Sequence, residues 1–174
     1  MRSLRFGGVV RVKNIGYACL VATLAAGCHA KAPQSDAVAE QIPNLIQELK
    51  AGDERGRAKA AEAIGRLGAE GKLALPALLL ALRDEGEAVR QNALRAIIAI
   101  GPDSRAVDTL TISLRDSDEV VRALSATALG GLGPLARRSI PALREALQDR
   151  DENVQKQAAD ALSRIDPSSV RRSM

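Results

Sequence analysis

Apolar residues return along this chain in blocks rather than singly. Leu49, Leu82, Leu114 and Leu147 recur at spacings of 33, 32 and 33 residues. The columns beside them keep step: Ile42, Leu75, Val107 and Ile140, then Leu45, Leu78, Leu110 and Leu143. A second half-block carries Ile64, Ile97, Leu129 and Leu162, followed by Leu67, Ile100, Leu132 and Ile165. Inside a block the spacing is three and four, as in Leu75, Leu78, Leu79 and Leu82, which draws one stripe along an amphipathic helix. The pattern predicts two helices per unit, in units of about 42–74, 75–106, 107–139 and 140–166. A unit of this length cannot bury its own apolar face, so successive units stack into a solenoid.

Polar punctuation supports the same division. The first helix is expected to open at a proline in three units, Pro43, Pro76 and Pro141, with Asp108 in the third. Proline suits a first turn because its missing N–H has no partner there, and aspartate suits the positive end of the helix dipole. Acidic turns such as Arg83-Asp84-Glu85-Gly86-Glu87 and Arg115-Asp116-Ser117-Asp118-Glu119 then supply capping oxygens for the second helix. Second helices end at Gly68, Gly101 and Gly133, and Asp166-Pro167 stands at that place in the last unit.

The run Pro-x-Leu…Leu-x-Asp, then Val-Arg and an alanine-rich helix ending in Ile/Leu-Gly, resembles the HEAT family, in the short bacterial form also found in phycobilin lyases. The likeness spans about 42–166 and is sharpest in Leu82-Arg83-Asp84…Val89-Arg90 and Leu114-Arg115-Asp116…Val121-Arg122. It implies an all-α fold, a right-handed α-solenoid of about four HEAT-like helix pairs. It also implies a structural ladder between stacked units, in which Asp84, Asp116 and Asp149 pair with Arg90 and Arg122. Repeat one departs from the pattern with Ala51 and Gly56 but keeps Arg57; repeat four has Gln155 for the arginine. Both are read as caps, since terminal units lack a neighbour; the alternative for repeat one is a decayed unit.

The chain ahead of the repeats has a different grammar. Residues 1–27 read as a secretory signal: Arg2, Arg5, Arg11 and Lys13 form a basic start, and Ile15–Ala26 is uncharged and too short to span a bilayer. The stretch Leu24-Ala25-Ala26-Gly27-Cys28 resembles the lipobox of bacterial lipoproteins, which implies that Cys28 is the acylated first residue of the mature protein. Ala25 departs from that pattern, where a larger aliphatic is commoner. The alternative is an ordinary signal with an incidental thiol at Cys28. Residues 28–41 are then a lipidated N-terminus and flexible tether, and 167–174 a polar C-terminal tail.

Charge and composition take on a new meaning once that segment is set aside. Four of the 25 basic residues precede Cys28 and none of the 21 acids does, so the remainder is balanced at 21 of each. The basic balance of the whole chain, +4, therefore belongs to the targeting segment and does not point to nucleic acid. Phe6 and Tyr17 are also lost, leaving no aromatic for stacking or for anchoring an interface. Cys28 becomes the single cysteine and His29 the single histidine, which leaves no disulfide and no His/Cys metal site; His29 reads as a solvated linker residue.

No cofactor, metal site, small-molecule ligand or catalytic constellation is expected. Acids sit in turns where capping explains them, and Ser125 falls in an alanine column, where a hydroxyl bonds its own helix. What remains is surface. Positions of the second helices that point away from the stripe form the candidate binding face, Asn92, Arg95, Leu124, Thr127 and Asp160, with a solvated face as the alternative. The expected function is a lipid-anchored, extracytoplasmic protein-binding or scaffolding module. His29 after the acylated cysteine favours the outer membrane, facing the periplasm, in a Gram-negative cell. An accessory subunit or lyase-like enzyme related to the phycobilin lyases is the second reading.

Overall fold

In a computed structural model, residues 34–167 are described, and they are helical throughout apart from short turns. The signal segment, Cys28, His29 and the tail beyond Pro167 lie outside the described residues. Among the described residues eight α-helices alternate between two layers. First helices are α1 (Gln34–Ala51), α3 (Leu75–Ala81), α5 (Val107–Ser113) and α7 (Ile140–Ala146); second helices are α2 (Glu54–Arg66), α4 (Glu87–Ile100), α6 (Glu119–Leu132) and α8 (Glu152–Ile165). The 3-10 segments Gly68–Ala74, Ser104–Ala106 and Gly133–Ser139 lead each second helix into the next repeat.

The second helices pack side by side in the order α2, α4, α6, α8, and each first helix lies on the second helix of its own repeat. Between the two layers runs one continuous core, built from the predicted columns: Ile64, Leu78, Ile97, Leu110, Leu129, Leu143 and Ile165 are all fully buried. Leu49, Leu82 and Leu114 are buried too, and Leu147 at the last repeat is half-buried. Fully burying a leucine or isoleucine removes enough apolar surface from water to contribute about 1.5–3 kcal/mol each.

Helix ends follow their capping chemistry. Asp53, Asp118 and Asp151 accept from the backbone N–H of Gly56, Val121 and Val154 at 2.7, 2.8 and 3.0 Å. Gly68, Gly101 and Gly133 have φ of 54°, 86° and 53°, a region that a side chain disfavours, and Asp166 closes α8 without it. One boundary departs from expectation. Residues 34–41, assigned from sequence to the tether, are the opening turns of α1, and Pro43 lies inside that helix rather than at its start. The segment Ala37-Val38-Ala39-Glu40-Gln41 is rich in good helix formers, and buried Ile42 and Leu49 hold the helix against the core. Pro43 removes one hydrogen bond near the N-terminal half, which the remaining turns tolerate.

The second-helix row is not evenly spaced. A Cβ built at Gly65 in α2 would lie 3.0 Å from the Cα of Ala96, and one at Gly130 in α6 would lie 3.0 Å from the Cα of Ala161. Glycine therefore permits close approach of α2 to α4 and of α6 to α8. The same register in α4 holds Ile98, half-buried against the core, and the contact of α4 with α6 is sparser.

Candidate functional site

The polar chemistry of the molecule is concentrated where second helices begin. Arg57 donates from Nε and Nη2 to Asp84 at 2.7 and 2.8 Å. Arg90 reaches Asp116 in the same two-pronged way, at 3.0 Å for both bonds, and Arg122 reaches Asp149 at 2.8 Å for both. The planar guanidinium fork matches a carboxylate edge, so each pair fixes orientation as well as distance. The third nitrogen is used within the arginine's own repeat: Nη1 of Arg57 donates to the Gly52 carbonyl, that of Arg90 to Asp84 and Glu85, and that of Arg122 to Asp116 and Ser117. Each aspartate also accepts from the backbone N–H two residues on, at Gly86, Asp118 and Asp151.

This ladder has a direction that the resemblance did not supply. Every arginine reaches forward to the next repeat, so Asp84 is paired by Arg57 of repeat one, and Arg90 meets Asp84 only through its backbone carbonyl. Arg57 is a full rung that the sequence reading left out of the ladder. Gln155, at the arginine position of repeat four, keeps only the local bond, donating to the Asp149 carbonyl at 2.6 Å. Among the described residues no arginine precedes Ala51 of repeat one. The Arg57 and Arg122 guanidinium groups hold the Asp84 and Asp149 carboxyls below the usual carboxylate range, and those carboxylates in turn raise the two arginines.

The candidate binding face on the second helices is largely occupied by its own contacts. Asn92 is half-buried and donates to the Ala58 carbonyl at 3.1 Å, which sets it in the seam between α2 and α4. Thr127 is half-buried as well, bonded to the Ala123 carbonyl and to Gln157 Oε1, each at 3.0 Å. Leu124, expected to lie open on this face, packs half-buried against the core instead, because its column is that same inter-helix seam. Arg95 and Asp160 are exposed, with Arg95 bonded to Asn92 and Gln91. The hollow beside Thr127, Gln157 and Asp160 holds about 30 Å³, the room of a water molecule rather than of a side chain. Ser125 is buried and donates to the Val121 carbonyl at 2.8 Å, a bond within its own helix.

Larger concavities lie on the other layer, where the sequence reading nominated nothing. Leu80 and Ile112, 64% and 63% exposed, stand at the same register of α3 and α5, beside hollows of about 490 and 320 Å³. The signal was present in the column Gln47, Leu80, Ile112, Glu145, which interrupts a polar face with two apolar residues in the middle repeats.

Comparison with known proteins agrees with this architecture. No curated protein matches the chain. Among solved structures it is similar to an engineered protein, with a TM-score of 0.61 and 22% identity over 72% of this chain; it spans 62% of that chain's length. It is also similar to the complex of CpcE and CpcF of phycocyanin lyase from Nostoc sp., with a TM-score of 0.56 and 25% identity, covering 73% of this chain and 79% of that one. The HEAT repeats family matches residues 42–130 and 107–172, three quarters of the sequence and every helix pair, and the chain belongs to the HEAT-repeat family.

Proposed function

We propose that this HEAT-repeat protein is a protein-binding or scaffolding module, without catalytic activity of its own, held at a bacterial membrane outside the cytoplasm by a lipid on Cys28. The observation that carries the binding role is the stack itself: four helix pairs present equivalent positions in register along two outer faces, a geometry suited to an extended partner. The similar phycocyanin lyase structure is a complex of CpcE with CpcF, which supports association with another protein as the common theme. The membrane address rests on Leu24-Ala25-Ala26-Gly27-Cys28 after an uncharged apolar segment, with His29 favouring the outer membrane and its periplasmic side.

Metabolic labelling with a clickable fatty acid tests the anchor. Cys28→Ser is expected to abolish labelling and release the protein from the membrane fraction; retained label and retained membrane association would remove the lipoprotein assignment. Crosslinking in native membranes, followed by recovery of the protein, tests the binding role through a discrete, reproducible adduct. The likeness to phycocyanin lyase favours one second reading, a lyase-like accessory subunit. Red-shifted absorbance and a saturable titration with an open-chain tetrapyrrole would favour it over the binding module.

A further inference from the structure

Along the first-helix face a cation in one repeat is followed, in the next, by the residue it would pair with. Arg115 of repeat three meets Glu145 of repeat four at 2.7 Å, a pair open to solvent. Moving back one repeat, the same two registers hold Arg83 and Ile112; moving back another, they hold Lys50 and Leu80. The carboxylate present at the last step is thus replaced by an apolar side chain at the two steps before it. Among the described residues neither Lys50 nor Arg83 has an acidic partner. These two incomplete steps coincide with the two large hollows. The first is lined by Lys50, Ala77, Leu80 and Arg83, the second by Arg83, Thr109, Ile112 and Arg115.

Charge in the hollows is positive once the ladder is accounted for. Asp84 and Asp116 line them but are taken by Arg57 and Arg90. That leaves Glu85 against Lys50 and Arg83 in the first, and Arg83 beside the Arg115–Glu145 pair in the second. Among the described residues the other exposed large apolar side chains, Leu73 and Leu135, lie in the 3-10 segments at unlike registers and form no such series.

We propose that the outer face of α1, α3 and α5 docks an extended segment of another protein that carries an acidic and an apolar side chain at each repeat step. Its carboxylates take the place that Glu145 fills one repeat later, pairing with Lys50 and Arg83. Its apolar side chains cover Leu80 and Ile112. Neighbouring packed helices lie about 8–10 Å apart, and a segment in the extended polyproline II conformation advances about 3.1 Å per residue with three residues per turn, so a motif recurring every third residue faces each helix in turn. The inference rests on the protein-binding reading above and gives it a face and a partner chemistry.

The probe is a fluorescein-labelled peptide of repeated Leu-Glu-Ser triplets, titrated by anisotropy against the purified full chain, with Lys-for-Glu and Ser-for-Leu peptides as controls. Saturable binding of the first peptide alone, weakened by salt, is expected. Arg83→Ala should weaken it about tenfold, because it removes a cation common to both hollows. Ile112→Glu, at an exposed position and with its helical content checked by circular dichroism, should satisfy Arg83 from within and weaken binding by about the same factor. Glu145→Leu should free Arg115, add a third step and tighten binding about threefold. Equal affinity in wild type and Ile112→Glu, or binding of the lysine peptide, overturns the proposal. So does a self-association that Ile112→Glu abolishes, which assigns the face to a second copy, or retention on phosphatidylglycerol vesicles without peptide binding, which assigns it to lipid. If the peptide fails while the native crosslinked adduct persists in Ile112→Glu, this inference falls and the protein-binding function stands.

Discussion

Removing Asp149 isolates the energetic role of the ladder. In the native protein its carboxylate takes two bonds from Arg122 and one from the Asp151 N–H, and the two side chains are only 12% and 6% exposed. Asp149→Ala leaves the Arg122 fork without an acceptor beneath repeat four. Deleting one partner of a buried pair costs about 3–5 kcal/mol; the edge of solvent at Asp149 moderates this to about 2–4 kcal/mol. Most of that is the penalty of an unpaired buried cation rather than the worth of the pair. Replacing both residues by apolar ones, Arg122→Met with Asp149→Leu, should therefore recover much of the loss. The control is the Arg115–Glu145 pair, slightly shorter at 2.7 Å against 2.8 Å but 73% and 64% exposed. Glu145→Ala should leave the urea midpoint within error, since exposed pairs gain little in water. Urea unfolding followed at 222 nm, with the slope checked for constancy, measures all three. Equal midpoint shifts for Asp149→Ala and Glu145→Ala, or a double variant as weak as the single, would refute the argument from burial.

Three further outcomes follow from the same packing. Gly130→Ala should destabilise by about 1–3 kcal/mol by forcing α6 away from Ala161, whereas Gly131→Ala, whose Cβ meets nothing within 4 Å, should be neutral or slightly stabilising; thermal melts of the two neighbours distinguish backbone contact from propensity. Leu114→Ala should cost about 2–5 kcal/mol, and Leu124→Ala, half-buried, about half as much, so indistinguishable urea midpoints would contradict the burial pattern. The Asp84 and Asp149 carboxyls lie below their ordinary value in the folded state, so their contribution is complete above the unfolded carboxylate range and is lost as pH falls through the folded values. Stability should decline from about pH 5 downward, and less steeply in Asp149→Asn, as measured by urea midpoints across that range.

The repeat count, the helix pairs and the core columns were legible in the sequence because burial imposes a period that composition cannot hide. Leu49, Leu82 and Leu114 fall in the core for the same reason they recur. Capping aspartates and closing glycines were readable because their roles are local. What stacking decides was readable only in part: the resemblance named the ladder residues, and Arg90 does meet Asp116 and Arg122 does meet Asp149, but neither the direction of the pairing nor the rung at Arg57 was evident. The ladder residues are near neighbours in sequence as Asp84 and Arg90, yet the bidentate bond runs from Arg57 to Asp84 across 27 positions, a choice made by how repeats sit on one another. Leu124 was misjudged because its column, shared with Asn92, looks solvent-facing on a single helix and becomes a seam when a second helix arrives. Leu80 and Ile112 do not stand out in sequence among the buried leucines around them, since one apolar residue on a helical wheel says little until its layer is known. The early start of α1 was obscured by Pro43, which a sequence reading places at a helix opening.

The forward reach of Arg57, Arg90 and Arg122 makes the two ends of the array chemically unlike. The second helices of the first three repeats each hold a guanidinium whose carboxylate belongs to the repeat that follows. The series of forward-reaching guanidinium groups stops at Gln155, whose neutral side chain bonds only within its own repeat. A fragment ending after repeat three would leave the Arg122 fork without Asp149, whereas the same position of repeat four holds Gln155 and leaves no ladder guanidinium unmatched.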